Sequence, residues 1–506
     1  MKHLLRDAVA RHRAGRLQEA AGLYRQVLAA EPKNADALHL LGLVEREAGR
    51  LDKAAGLVRR AVRLRPANPT FLFNLAIIAR DRGDLEEALS CYRKAAELDP
   101  KNPQLHNNLG VALGENGDLV GAAAAFREAL RHAPDMPEAM VNLADTLQRT
   151  GLSSARPEAE RLARRAVALS PGVAAAHAAL AEALPLPDGG AAAVAAARRA
   201  SELAPAEPAH AERLARLNLQ AGLTDAAVAA AQQAIALAPE GARARVTLGR
   251  ALLAQGRMEE AVAALRAALD CDPKGVGVCE AAAASELQAA LMLAGQRQAA
   301  AELQDLDHLV FTHKVAVPPG YKDIDAFNRT LAEAIRTHDT LRQDPEGYVT
   351  RDGAITENVL LDGQPVFQAM EWSLRRAIAA FTGSLRSGRA HYFRRDLKRR
   401  YRMVMWGVVL DRAGHLETHM HDDSWISGAY YVSLPRFDRG PGEDHAGAIE
   451  FGRPPATYGI APPFPTRVVE PEEGMVVLFP AATFHRTVPF RADAARICIS
   501  FNCQPY

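Results

Sequence analysis

Cysteine is scarce in this 506-residue chain: Cys91, Cys271, Cys279, Cys498 and Cys503 are odd in number, scattered, and without a C-x-x-C pair. That spacing builds neither a disulfide framework nor a thiolate zinc site, which leaves buried reduced thiols. Charge of one sign is missing too. The 61 Lys+Arg residues against 60 Asp+Glu leave a formal +1, so the whole chain has no pull toward nucleic acid or anionic membrane. No stretch approaches the eighteen or so consecutive apolar residues that span a bilayer. Met1 to Gly15 is broken by Lys2, Arg6, Asp7, Arg11 and Arg13 where a secretory signal needs an uninterrupted apolar core. These absences predict a soluble, cytoplasmic protein with no nucleic-acid and no membrane partner. No G-x-G-x-x-G or G-x-x-x-x-G-K-[ST] phosphate loop occurs, and the acidic pairs Glu472-Glu473 and Asp422-Asp423 lack glycosidase spacing.

What is present is ordinary globular composition, 48% apolar and 24% charged, on a length that fits two or more modules. Prolines follow helical runs at Pro32, Pro66, Pro100, Pro134, Pro171, Pro205, Pro239 and Pro273, in steps of 34 residues apart from one of 37. Small residues recur in the same phase at Ala20, Ala54, Ala88, Ala122, Ala193, Ala227 and Ala261. Small side chains let paired helices close up and the proline ends the second helix, so each unit reads as helix-turn-helix. Together with Leu41-Gly42, Leu109-Gly110 and Leu248-Gly249, these positions resemble the tetratricopeptide repeat (TPR) over about residues 1 to 273. The resemblance implies an all-α solenoid of about eight repeats whose concave groove takes a protein or peptide. The segment Val276 to Leu306 is helical but out of register and reads as a cap, giving a first domain over 1–305.

Asn74, Asn108 and Asn142 occupy the sixth position of three consecutive units, one period apart and on one face. An amide both donates and accepts, so such a row can hold a peptide backbone with little regard to its sequence. The competing reading is that the asparagines bond within the turns or meet water. Leu40, Arg213 and Thr247 at neighbouring equivalents keep the row short.

From Asp307 the period stops and aromatic and β-branched residues rise. Residues 323–338 and 364–381 have helical spacing, the latter with Phe367, Met370, Leu374 and Ile378 on one face. After Tyr401 come five short apolar runs, MVMWGVVL, SGAYYVSLP, GAIEFG, GMVVLFPA and ARICISFN, which read as an antiparallel β domain. The second domain, 306–506, is therefore α+β with a β core.

Within it, His419 and His421 stand at i and i+2 in an extended segment and so point to the same side. His485 follows His421 by 64 residues, just past GMVVLFPAATF, and Arg496 opens the last run. Imidazoles suit Fe(II), and a buried guanidinium can grip a carboxylate in two places. The pattern H-x-H…SGxYYV…GxxxxFPxxxxHxVxP…RIxISFN resembles the 2-oxoglutarate, Fe(II)-dependent oxygenases at the end of bacterial tetratricopeptide proteins, relatives of the prolyl and aspartyl hydroxylases. The resemblance covers about Val310 to Tyr506. It implies a double-stranded β-helix, or jelly roll, with His419 and His485 on iron, Arg496 on the distal carboxylate of 2-oxoglutarate, and Tyr431 as a second contact to it. It also implies Fe(II), 2-oxoglutarate and O2 as the working set. The usual triad is His-x-Asp/Glu…His, so two ligand sets compete: His419, His421 and His485, or His421, Asp423 and His485. The H-x-H pattern favours the first, with Asp423 then expected to orient an imidazole. Cupins also use H-x-H, but the glutamate they place after it is here replaced by Ser424 and Trp425.

Phe479, Phe484, Trp425 and Trp406 are candidates for an apolar surround, with ordinary core packing as the competing role of each. The basic run Arg394, Arg395, Lys398, Arg399, Arg400 and Arg402 reads either as an anionic-substrate patch or as a solvated edge. The leading expectation is an Fe(II)/2-oxoglutarate dioxygenase that hydroxylates a polypeptide presented by the TPR groove. Its rivals are a non-catalytic TPR scaffold and an oxygenase of a small substrate.

Overall fold

The computed structural model describes every residue except 186–189, 272–279, 346–348, 389–390, 398, 439, 441–444 and 506, so Pro273, Cys279 and Lys398 lie outside the described residues. The chain divides into two compact units, Met1–Arg213 and Leu214–Tyr506.

The first unit is built from antiparallel helix pairs at the sequence period, such as Ala35–Glu47 with Leu51–Leu64, Pro69–Asp81 with Leu85–Leu98, and Pro103–Glu115 with Leu119–His132. The 37-residue step is taken up by a one-turn 3-10 helix, Ser153–Ala155. The Leu-Gly signal has a steric cause: a Cβ on Gly110 would stand 2.7 Å from the Phe126 ring of the partner helix. Each pair's first helix starts on a side-chain cap where the sequence allows it, as Asn34, Asn68 and Asn102 accept from the backbone N–H three residues on. A glycine in the left-handed region closes the turn inside the pair, as at Gly83 with φ 79° and Gly117 with φ 84°.

The second unit continues with Thr224–Leu237, Ala242–Ala254, Met258–Asp270, Glu280–Leu293 and Arg297–Gln304. Glu280–Leu293 is no polar-faced cap. It is buried from Glu280 through Met292, and its alanines and Leu287 share one hydrophobic core with Leu331, Phe367, Met370 and Ile499. The change of texture at Asp307 is thus a change of secondary structure within continuous packing. The basic run explains part of that junction. Arg394 bonds Asp305, Arg395 donates to the Leu269 carbonyl, and Arg399 pairs with Glu280 with both side chains buried. These arginines hold the segment that leads into the strand at Tyr401 to the helices, and are not a patch awaiting substrate.

Among the described residues ten strands follow: β1 (Phe311–Lys314), β2 (Arg342–Gln343), β3 (Thr350–Ile355), β4 (Tyr401–Leu416), β5 (Ile426–Ser433), β6 (Ile449–Phe451), β7 (Arg467–Val469), β8 (Met475–Pro480), β9 (His485–Thr487) and β10 (Arg496–Pro505). They form a seven-stranded antiparallel sheet ordered β1-β8-β5-β10-β4-β3-β2 and a three-stranded one ordered β7-β6-β9. The five apolar runs are β4, β5, β6, β8 and β10.

Period-2 alternation sends the two faces of the large sheet to different cores. Met405, Tyr430, Leu478, Ile497 and Ile499 pack with Phe327 of the helix Ile324–Arg336 and with Phe367 and Leu374 of the helix Pro365–Ser384. Val408, Leu410, Tyr431, Val477, Phe479 and Cys498 face a second core, shared with Ile449, Phe451 and Val469 of the small sheet. The candidate residues lie on this second face.

Candidate metal centre

Backbone pairing closes the 64-residue gap between the histidines. His419 and His485 form an isolated antiparallel bridge, each N–H donating to the other's carbonyl at 3.0 Å, and His421 N–H donates to the Ala481 carbonyl at 3.0 Å. Directly paired residues carry their side chains close together. The ring centroids are accordingly 4.2 Å apart for His419 and His485, 5.1 Å for His419 and His421, and 5.4 Å for His421 and His485. One donor atom of each lies within 4.8 Å of the others.

Tautomers follow from the partners. His419 Nδ1–H donates to the Glu417 carbonyl at 2.8 Å and His485 Nδ1–H to the Thr483 carbonyl at 3.0 Å. A carbonyl only accepts, so the proton sits on Nδ1 and each Nε2 keeps its lone pair. Burial lowers all three imidazoles below the ordinary histidine value, His421 to about 3, and the neighbouring imidazoles add to this at His421 and His485. Neutral, carbonyl-oriented imidazoles are the state a divalent transition metal requires.

Asp423 is not part of the group. Its carboxylate accepts from Ser424 Oγ at 2.7 Å and Gln504 Nε2 at 2.6 Å. Neither of these partners is an imidazole, and at His419 and His485 a backbone carbonyl takes the orienting role.

Arg496 opens β10 on the same face. Its side chain is buried, Nη1 donates to Thr487 Oγ1 at 3.4 Å, and Nε has no partner. Thr487 lies two residues past His485 on β9, one side-chain repeat along the same face. The guanidinium lies 5.1 Å from the centroid of the Tyr431 ring, and the buried Tyr431 hydroxyl also lacks a partner. Burial pushes Tyr431 up to about 12, so it remains a neutral donor. A guanidinium cannot shed its proton, and among the described residues no carboxylate pairs with this one. A buried cation without an anion costs several kcal/mol.

Aromatic rings wall the imidazoles. Phe479 lies 4.6 Å from His485 and Trp406 5.9 Å from His421, while Phe451, 6.4 Å from His485, went unnoticed in the sequence because one phenylalanine in a short strand carries no signal. Trp425 packs instead with Phe393 and Tyr401 in the helix-side core, and Phe484 with Tyr458. Two further histidines of this half are bonded elsewhere, His391 to the Leu303 carbonyl and His445 to Glu470.

Residues 404–502 match the family model described as "Putative 2OG-Fe(II) oxygenase", and residues 6–69, 78–117 and 212–276 match tetratricopeptide repeat models. The chain thus carries TPR repeats and, at 404–502, a region similar to that oxygenase family. Comparison with curated proteins gives no match. Among solved structures the chain is similar to a tetratricopeptide repeat protein from Parabacteroides merdae, at 22% identity over 47% of this chain and 93% of that one, TM-score 0.40. It is also similar to YrrB, a TPR protein with an unusual peptide-binding site, at 20% identity over 34% and 88%, TM-score 0.31. A third is the Cut9-Hcn1 hetero-tetramer of the APC/C, at 17% identity over 54% and 52%, TM-score 0.43.

The asparagine row of the TPR unit is partly committed to its own repeats. Asn74 Nδ2 donates to His39 Nε2 and to the Thr70 carbonyl, Asn108 Nδ2 to the Gln104 carbonyl, and Asn142 Nδ2 to Asn107 Oδ1. Beyond these bonds the row keeps its three Oδ1 acceptors and one further N–H each on Asn108 and Asn142. A second His/Glu group, His106, Glu128 and His132, lies in the same unit, but Arg131 donates to Glu128 and already neutralises it. Among the described residues no helix is long and apolar enough to cross a membrane.

Proposed function

We propose that this protein is an Fe(II)- and 2-oxoglutarate-dependent dioxygenase that hydroxylates a polypeptide held by its TPR groove. One observation carries the reading: three neutral imidazoles, two of them with Nδ1 tied to a carbonyl and Nε2 free, share a face with a buried, anion-less guanidinium. The donor set suits a borderline divalent ion such as Fe(II), and the guanidinium suits a carboxylate. The two sheets facing across one core support a double-stranded β-helix.

In this reading His419, His421 and His485 hold Fe(II). Arg496 binds the distal carboxylate of 2-oxoglutarate, with the Tyr431 hydroxyl as a second donor. When bound, the iron supplies the oxidative chemistry that converts 2-oxoglutarate and O2 to succinate and CO2 and leaves a hydroxyl on the substrate. The chain supplies the rest. The Glu417 and Thr483 carbonyls fix the ring planes, Arg496 sets the cosubstrate's direction, and Phe451, Phe479 and Trp406 exclude water. The functional division is a TPR domain over 1–305 and an oxygenase domain over 306–506. The Oδ1 row of Asn74, Asn108 and Asn142 accepts backbone N–H groups of the polypeptide, and the setting is the cytoplasm.

Succinate release from 2-oxoglutarate by the full chain with Fe(II) under air, with and without added polypeptides, tests the reading. Turnover that rises with polypeptide supports it; no turnover with any substrate and no iron binding overturns it.

A further inference from the structure

The loop that carries two of the three imidazoles is held from outside the β domain. Asp422 directly follows His421, and its Oδ2 lies 3.6 Å from Nη2 of Arg250, on the repeat helix Ala242–Ala254. Arg250 is itself fixed. Its Nε donates to Glu286 Oε1 at 2.7 Å, and Glu286 Oε2 accepts from the Tyr458 hydroxyl at 2.9 Å. The Glu286 carboxylate is 7% exposed, whereas Asp422 is 55% exposed. The guanidinium is thus anchored in the buried joint and presents its remaining nitrogens to the metal-site loop. In the repeat frame Arg250 comes three residues after Thr247, the equivalent of the asparagine row, so both lie on one side of their helix.

We propose that Arg250 is a positioning residue, through which the last repeat holds the His419–Asp423 loop in the geometry that binds metal. The proposal rests on the function proposed above and adds which residue ties the last repeat to the metal site. An exposed ion pair is worth little to stability. Its consequence is geometric: Asp422 is one residue from a ligand, and groups that orient metal ligands matter about tenfold or more in metal affinity.

The test titrates Co(II) into the metal-free full chain and follows succinate release with Fe(II) for Asp422→Asn, Arg250→Ala, Arg250→Lys and the Asp422→Asn/Arg250→Ala double variant. Asp422→Asn keeps the shape of an exposed side chain and leaves Glu286 paired, so it reads the contact even if Arg250→Ala folds poorly. Expected are roughly tenfold weaker Co(II) binding in Asp422→Asn and in Arg250→Ala, no further loss in the double variant, and substantial recovery in Arg250→Lys. Wild-type affinity in Asp422→Asn, or losses that add in the double variant, overturns the proposal while leaving the proposed function intact. Absence of Co(II) binding at the histidines in the wild type overturns both.

Discussion

The asparagine row of the first unit and the imidazole cluster of the second are both sets of like side chains gathered on one face, and their hydrogen bonds set them apart. In the row, each Nδ2 is used by a neighbour in the repeats. In the cluster, the chain satisfies only the outward nitrogens of His419 and His485, and leaves a buried guanidinium nitrogen and the Tyr431 hydroxyl without partners. Buried polar groups are almost always bonded, which sets these orphans apart. The row is bonded into its own repeats; the cluster, in the function proposed above, is an incomplete coordination shell.

The sharpest way to break this contrast is to remove a ligand. His485→Ala is expected to weaken metal binding by about a hundredfold or more, measured by Co(II) titration, while Asn142→Ala leaves it unchanged. Arg496→Met separates stability from binding. It removes an unpaired buried charge, so the ligand-free protein should melt no lower than wild type, yet 2-oxoglutarate binding should fall about thirtyfold, from roughly 2 kcal/mol of lost charge-assisted bonding. Calorimetry reads both.

Gly110→Ala works in the opposite sense. A methyl 2.7 Å from the Phe126 ring should destabilise the first unit by about 1–3 kcal/mol without touching metal affinity, as thermal unfolding beside the Co(II) titration would show. Smallest is the triple variant Asn74→Ala, Asn108→Ala, Asn142→Ala, expected to raise KM for a polypeptide substrate several-fold, at about 1 kcal/mol per lost bond, with metal binding and substrate-free succinate release unaltered. Unchanged KM would assign the row to repeat structure alone.

The histidines and Arg496 were legible because i, i+2 spacing and strand alternation are readable from residue types alone. The TPR period was legible for the same reason, since Gly110 and Phe126 leave a fixed signature. What escaped depends on the backbone or on distant pairing. The carbonyls of Glu417 and Thr483 orient His419 and His485, and carbonyls are invisible in a sequence, which offers Asp423 for that role instead. The arginines at 394, 395 and 399 look like a patch until Asp305, Leu269 and Glu280 are brought beside them. Likewise Glu280–Leu293 reads as a terminal cap because nothing local reveals the sheet domain that buries it.

The most direct measurement is an anaerobic titration of the metal-free full chain with Fe(II) and then 2-oxoglutarate, run beside a variant lacking the imidazoles of His419, His421 and His485. The expected result is one Fe(II) per wild-type chain, 2-oxoglutarate binding that needs that iron, and neither in the variant. Equal iron uptake by the two proteins, or none by the wild type, would contradict it.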